Sequence, residues 1–440
     1  MSRPNHFEVA IEKIVAGGDG LARHEGQVVF VPRSAPGDRV IVEAVERRRD
    51  YLRANVVQVT RSSAKRRQPP CDFYGLCGGC SLMHLDIDAQ LQVKKDILFE
   101  SLIRAGHLDF KGSITVHSAH ESGYRIRSRF HVQQGPRKTV VGFKERGSHR
   151  LVDISRCLQI SSEANVVLEL TREWIAARKA RSREIITFEI IESNIGSAGA
   201  KQGRILLHFV VKKHIRLSRR ELAELAKKAR LQGVVVTAEK GRAKDWRFEI
   251  GDSGIVHRVG NIDYRTRPGS FFQVNQYLVE SLVRETVFSK NIENGFAVDL
   301  YCGVGLFTLP MAKLAQRILG VESSSSAIVD ARANARAAGV DNVEFVECTA
   351  GDYSERVGFA GADVVVADPP RGGLAPAVVQ ALTAHPPKQL RYVSCDAPAL
   401  GRDAGQLARA GLILERLVLL DLFPNTHHFE TIAIFGLLSP

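Results

Sequence analysis

Cys71, Cys77 and Cys80 stand in the run CDFYGLCGGC with the spacing C-x5-C-x2-C, and Cys157 follows as a distant partner. A free cysteine ordinarily behaves as a small buried hydrophobe, and three within ten residues exceed what packing asks for. Gly78 and Gly79, between the last pair, let the backbone fold closely around whatever the thiolates hold. A metal ion or an iron–sulfur cluster is the chemistry such a set supports, and four thiolates also suit tetrahedral zinc. Radical S-adenosylmethionine chemistry asks instead for C-x3-C-x2-C with one iron left open.

A second set of residues lies in the last third. Asp299-Leu300-Tyr301-Cys302-Gly303-Val304-Gly305 joins an apolar strand to a helix, and Gly303 and Gly305 permit close approach of a ligand. The third glycine of a dinucleotide fingerprint is missing, so pyrophosphate is not the expected ligand. Glu322, 17 residues after Gly305, ends the next strand and suits the two hydroxyls of a ribose. Together these favour S-adenosylmethionine. Asp368-Pro369-Pro370-Arg371 ends the apolar strand ADVVVA, where ligands bind in open α/β sheets, and resembles the turn of methyltransferases acting on planar nucleobases. Val393-Ser394-Cys395-Asp396 ends the following strand. A thiolate at that position can add to C6 of a uracil ring and make C5 nucleophilic enough to accept a methyl group. The C5 proton must then leave, which requires a base, and Glu430 at the start of the final strand is the best candidate.

The elements that must position these groups follow from periodicity. Between Phe7 and Arg61, short alternating runs are punctuated by Gly17-Gly18, Gly26 and Pro36-Gly37. About five short strands in this length suit a small closed barrel of the OB type, a common nucleic-acid binder. Residues 88–106 read as an amphipathic helix with Leu91, Ile97, Leu98, Leu102 and Ile103 on one face. Residues 114–264 are strand-rich, with a basic helix over 217–229. Arg125, Arg127 and Arg129 alternate there, so they share one face, either plainly solvated or phosphate-contacting. After Pro268, apolar strands alternate with helices, which implies a mostly parallel sheet covered on both sides.

At 440 residues the chain has room for about three domains of roughly 150 residues, and 44% hydrophobic residues suffice for several cores. No apolar run of about 18 residues occurs, so no membrane span is expected. The first residues, MSRPNHFEVAIEKI, lack the apolar stretch of a signal peptide, and seven unevenly placed cysteines point to a reducing cytoplasm. Charge is unevenly spread. Residues 1–70 carry 13 Lys and Arg against 8 Asp and Glu, residues 71–268 carry 35 against 22, and residues 269–440 carry 13 against 18. A polyanion-binding front joined to a separate catalytic back accounts for that division better than solubility does.

The elements RPGSFFQVN, DLYCGVGLFTLP, DPPRGG, SCD and HHFET, in this order, resemble the RNA (uracil-5-)-methyltransferases. Among them the chain is most similar to the bacterial 23S ribosomal RNA branch, over nearly its whole length. The resemblance implies an N-terminal OB-like barrel of the TRAM type over 1–61. It implies a central α+β RNA-binding domain with a [4Fe-4S] cluster over 62–267, and a Rossmann-like methyltransferase domain over 268–440. It further implies Cys395 as nucleophile and Glu430 as base, with Gln273, Tyr301, Glu322 and Asp368 lining the S-adenosylmethionine site. Cys71, Cys77, Cys80 and Cys157 become the cluster ligands. The expected product is 5-methyluridine in RNA, ribosomal before transfer RNA, with no obligate protein partner. Against a non-catalytic RNA-binding protein stands the intact set of Cys395, Glu430 and Asp368. Two departures exist: Ala397-Pro398 follows SCD where the family has Pro and then a small residue, and a further cofactor contact falls on Thr349 or Asp352 and stays unassigned.

Overall fold

The computed structural model describes residues 6–135, 138–178, 184–195, 204–212, 218–239, 247–288 and 290–437. Three large sheets account for most of it.

The N-terminal sheet has six strands, one more than the periodicity suggested, because Lys13–Ile14 pairs with Asp19–His24 across the Gly17-Gly18 turn. Its spatial order is His6–Ala10, Arg39–Arg47, Tyr51–Arg61, Gln27–Pro32, Asp19–His24 and Lys13–Ile14. Alternation puts Val9, Val29, Val31, Val40, Val42, Leu52 and Ala54 inside, each at most 4% exposed, and sends the charged neighbours to water. The long Arg39–Arg47 and Tyr51–Arg61 pair contains three register shifts. Bulges of this kind bend a ladder and let a small sheet wrap around its own core.

The central sheet runs Leu151–Asp153, Thr139–Lys144, Arg127–Gln134, Ile185–Glu192, Ile205–Val211, Gly233–Ala238, Arg247–Gly251, antiparallel except for the pair Ile205–Val211 and Gly233–Ala238. Helices Ser162–Ala177 and Arg219–Lys228 pack on it through Val167, Leu168, Ile175, Leu222 and Leu225. The second helix starts at a capping box made by Ser218 and Glu221; Leu217, which the sequence placed inside it, lies outside the described residues.

The C-terminal sheet has eight strands, ordered Val343–Glu347, Arg317–Glu322, Phe296–Leu300, Val364–Ala367, Gln389–Ser394, Glu430–Leu437, Leu412–Leu420 and Ile114–His117. The first five are parallel, and their near-continuous Val, Leu, Ile and Ala follow from burial on both faces. Glu430–Leu437 inserts antiparallel between Gln389–Ser394 and Leu412–Leu420.

The outermost strand departs from the expected domain division. Ile114–His117 pairs with Leu417–Leu420, and helix Ile87–Gly106 crosses helix Ala397–Arg409 of the C-terminal layer. The crossing is close: a Cβ on Gly401 would stand 2.3 Å from Ser101 O, and one on Gly106 2.4 Å from Gly401 O. Ile97, Leu98 and Leu102 of that helix are buried as expected, but Leu91 is only half-buried and Ile103 is 52% exposed. The stripe runs through Val93, Ile97, Leu98 and Leu102, and Ile103 lies one step, about 100°, past it. At its centre Lys94, fully buried, pairs with Asp421 at 2.5 Å.

Candidate active site and cysteine cavity

The sheet register brings the reacting groups together. In the antiparallel pair the ladder ends with Ser394 opposite Thr431, so Cys395 leaves one strand beside the point where Glu430 enters the other, close enough to feel its charge. On the other side of Gln389–Ser394, Ala367 is paired with Tyr392, so Asp368 leaves the sheet beside them. A thiol and two carboxyl groups thus gather at one end of three adjacent strands, the carboxyl ends of Gln389–Ser394 and Val364–Ala367 and the amino end of the antiparallel Glu430–Leu437.

Burial controls their protonation. The Cys395 thiol is pushed up to about 12 by burial and by the negative fields of Glu430 and Asp368, while Arg371 pulls the other way. Burial and then Asp368 raise Glu430 well above the carboxylate range. Asp368 itself is raised to about 7 by burial, opposed by a hydrogen bond from the Gln273 amide. Glu430 is 4% exposed, and its Oε2 has no hydrogen-bond partner, so the carboxylate is free for a ligand. Cys395 immediately precedes Asp396, whose side chain accepts from Ala399 N at 2.9 Å and caps helix Ala397–Arg409. The positive end of that helix favours the thiolate. Pro398 falls in the first turn, where its missing N–H costs nothing, so the departure at Ala397-Pro398 leaves the cap intact.

A raised thiol forms thiolate only as pH climbs toward its own value. Labelling of Cys395 in the free protein by iodoacetamide, followed by peptide mass spectrometry, is therefore expected to rise about tenfold per pH unit and to be climbing still at pH 10. A plateau below pH 9 would contradict the burial argument.

The glycine loop lies two strands away. Glu322 accepts from Gly303 N at 3.1 Å and from Ser324 N at 2.7 Å, which fixes its carboxylate beside the loop. A Cβ on Gly303 (φ +55°) would meet nothing within 4 Å, so the space over the loop is open. Tyr301 holds φ +63°, a left-handed conformation rare outside glycine and common at ligand sites. Gln273 is buried and reaches Asp368. Cys302, the other cysteine of this region, is a packed core residue. Thr349 caps helix Ala350–Arg356 and bonds Asp352 at 2.7 Å, so both are engaged locally.

Sequence reasoning passed over Asp299 and Arg371. Asp299 is fully buried, bonded by Thr308 at 2.5 Å, and raised to about 7 by burial, with Asp368 and Glu322 adding to the shift. Its place as the only acid within an apolar strand was the available signal. Arg371 is exposed, follows the Pro-Pro turn, and lies 3.4 Å from His428 Nε2. His427 and His428 are lowered to about 3 and about 4, mainly by burial, and are therefore neutral.

The arginines expected on one face are divided. Arg127 and Arg129 both bond the buried Glu189, at 2.9 Å each, and Arg125 stands 5.9 Å over the Phe423 ring. A solvated face and a phosphate-contacting face both fail for Arg127, because Glu189 on the neighbouring strand draws it in.

Cys71, Cys77, Cys80 and Cys157 line one cavity of about 200 Å³, with Tyr124, Arg125, Phe423 and His428 among its other walls. Gly78 is required there, since its Cβ would stand 2.8 Å from Lys144 O, and Gly79 N donates to Cys77 Sγ at 3.3 Å. Cys157 is held by Asn165, which accepts from its N–H at 2.8 Å and donates to its carbonyl at 2.9 Å. Burial raises Cys77, Cys80 and Cys157, the last to about 11, and neighbouring sulfurs add to each of these three shifts. All are free thiols. Among the described residues no three His, Cys, Asp or Glu side chains converge closely enough to hold a single ion. The four sulfurs bordering this space have the donor chemistry that an iron–sulfur cluster or zinc takes.

Comparison with known proteins bears on the chain as a whole. Residues 86–436 match the family described as tRNA (Uracil-5-)-methyltransferase, and residues 6–57 match the TRAM domain. An uncharacterized RNA methyltransferase of Aquifex aeolicus is 34% identical, over 97% of this chain and 98% of its own length. A 23S rRNA (uracil(1939)-C(5))-methyltransferase of Shewanella sediminis is 30% identical, over 96% and 93% respectively. The crystal structure of Pyrococcus abyssi tRNA (uracil-54, C5)-methyltransferase in complex with S-adenosyl-L-homocysteine superposes with a TM-score of 0.75 at 27% identity, covering 97% of this chain and 99% of that one.

Proposed function

We propose, since this chain belongs to the tRNA (uracil-5-)-methyltransferase family and is an S-adenosylmethionine-dependent RNA (uracil-C5)-methyltransferase with an N-terminal TRAM domain, that it makes 5-methyluridine in 23S ribosomal RNA. The observation that carries the chemistry is Cys395 beside Glu430 at the ends of two adjacent strands, with Asp368 next to them. The ribosomal substrate rests on full-length relatives named for 23S rRNA in Shewanella sediminis, Alkalilimnicola ehrlichii and Stenotrophomonas maltophilia.

S-adenosylmethionine, when bound, supplies an electrophilic methyl group on a positive sulfur. Glu322 would bind its ribose hydroxyls, the Gly303–Gly305 loop would lie against it, and Gln273, Tyr301 and Asp368 would orient it. The Cys395 thiol gives its proton to solvent, its thiolate adds to C6 of the uracil, and the displaced electron pair makes C5 the nucleophile. Once C5 carries the methyl group, Glu430 takes its proton. The C–H pair forms the C5–C6 double bond, the C6–S bond breaks, and the electrons return to Cys395 as thiolate. A cofactor bound beside Asp368 would bring a positive charge that opposes part of the negative field on Cys395.

Cys71, Cys77, Cys80 and Cys157 fit a [4Fe-4S] cluster, which four thiolates would leave without an open iron; its part is then structural or redox. Residues 1–61 and 62–267 bind RNA and residues 268–440 carry the chemistry, in keeping with the basic surplus before residue 269. Seven free thiols suit the cytoplasm. Among the described residues no helix is long and apolar enough to cross a membrane.

Nucleoside mass spectrometry of separated RNAs from a deletion strain tests the substrate. Loss of one 5-methyluridine from 23S ribosomal RNA is expected. Its retention there with loss from transfer RNA would transfer the activity to the substrate of the Pyrococcus abyssi enzyme.

A further inference from the structure

The nine residues Asp421–Phe429 connect strand Leu412–Leu420 to Glu430, and the N-terminal part of the chain holds them in place. Asn425 is the centre of that anchorage. It is 2% exposed, has φ +66°, and every polar atom it owns is engaged. Its N–H donates to Gln90 Oε1 at 2.8 Å, and its Nδ2 donates to Glu121 O at 2.9 Å. Its Oδ1 accepts from Arg67 at 2.9 Å and from Gln90 at 3.3 Å. Its carbonyl accepts from both Ser81 N and Leu82 N, at 3.0 and 2.9 Å. Two residues on, His427 N donates to Ser81 Oγ at 3.0 Å, and the same hydroxyl lies 3.0 Å from His427 Nδ1.

Ser81 follows Cys80 directly, and Phe423, Thr426 and His428 wall the cysteine cavity. The connector is thus clamped between the cysteine segment and the last strand. Glu430 needs such a clamp, because its Oε2 finds no partner to fix it. The pairing of Glu430 with Leu420 holds its backbone from the strand side, and the connector fixes the approach from Phe429.

We propose that Ser81 and Asn425 are positioning residues for proton removal from C5, holding the connector so that the Glu430 carboxylate meets that proton. The proposal rests on the reading of Glu430 as the base. It separates two steps of the reaction: Cys395 and the glycine loop stand on other strands, so addition and methyl transfer do not need the clamp, whereas release of the product does.

The test compares Ser81→Ala, Ser81→Thr and Asn425→Gly with wild type and with Glu430→Gln, in the full-length protein as purified. Glycine keeps the left-handed backbone at position 425 and removes only the side-chain bonds. Single-turnover methyl transfer, steady-state turnover and the fraction of enzyme covalently bound to RNA on denaturing gels are measured. Ser81→Ala is expected to slow turnover about tenfold, as the loss of one buried hydrogen bond would, with methyl transfer within about twofold of wild type. Covalent adduct should accumulate, more so in Asn425→Gly, and Ser81→Thr, which keeps the hydroxyl, should return both readings to wild type. Adduct in Glu430→Gln but none in Ser81→Ala or Asn425→Gly overturns the clamp alone, as does equal slowing of both steps. Absence of adduct in Glu430→Gln overturns the base assignment and the clamp with it. Should Asn425→Gly fail to fold, Ser81→Ala decides.

Discussion

Cys395→Ala is expected to abolish 5-methyluridine formation and to leave no covalent RNA complex, whereas Glu430→Gln is expected to trap one. The difference follows from the order of bond changes. In the proposed reaction sulfur addition to C6 comes before methyl transfer and proton loss from C5 comes after it, so removing the nucleophile stops everything and removing the base stops only the exit. Loss of general-base assistance costs about 10²–10⁴ in rate, enough for the adduct to dominate at steady state. The amide of Glu430→Gln retains the shape of the buried carboxyl and relieves the repulsion from Asp368. Denaturing gels with labelled RNA and S-adenosylmethionine make the measurement. Full activity of Cys395→Ala would refute covalent catalysis. Full activity of Glu430→Gln would move the base, and His427 is a poor successor, since its Nδ1 already faces Ser81 and burial holds the ring low.

Cys157→Ser should bleach the protein. Anaerobically purified wild type is expected to be brown, with broad absorbance at the blue end of the visible range and about four irons per chain. The variant should lose the colour and most of the iron. Cys157 would be the ligand that comes from the central sheet side, tied to helix Ser162–Ala177 through Asn165, while the other three share one loop. Its loss therefore opens one wall of the cavity without disturbing the loop glycines. A colourless wild type carrying one zinc per chain would overturn the cluster assignment.

Much of this was legible from residues alone, for a physical reason. Gly303, Gly305, Glu322, Asp368 and Cys395 all stand at or just past the carboxyl ends of parallel strands, which such a sheet delivers to one crevice. The apolar runs that precede these five mark those ends, while Glu430 reaches the same crevice from the amino end of an antiparallel strand. What stayed hidden depends on pairing between distant segments. Nothing local in ITVH says that Ile114–His117 joins the far edge of the last sheet, or that Lys94 finds Asp421. The arginine alternation at 125, 127 and 129 was real, but its meaning was set by Glu189 on the neighbouring strand. Asn425 looks like an ordinary loop residue until its partners from residues 67–121 surround it.

The borrowed edge strand has a consequence for how the chain is made. Leu417–Leu420 leaves the ribosome about 300 residues after Ile114–His117, which at cellular elongation rates is on the order of tens of seconds. Throughout that interval the helix Ile87–Gly106, with its buried lysine, has no Ala397–Arg409 to cross and no Asp421 to neutralise it. The early third can close its barrel, but the segment after it must wait for the end of translation. A long-range pairing of this kind slows folding, and it also dictates how the catalytic part can be cut free. A fragment beginning at residue 269 would bare one edge of Leu412–Leu420, an invitation to pair with a second copy, whereas one that carries residues 86–117 along would bring its own edge with it.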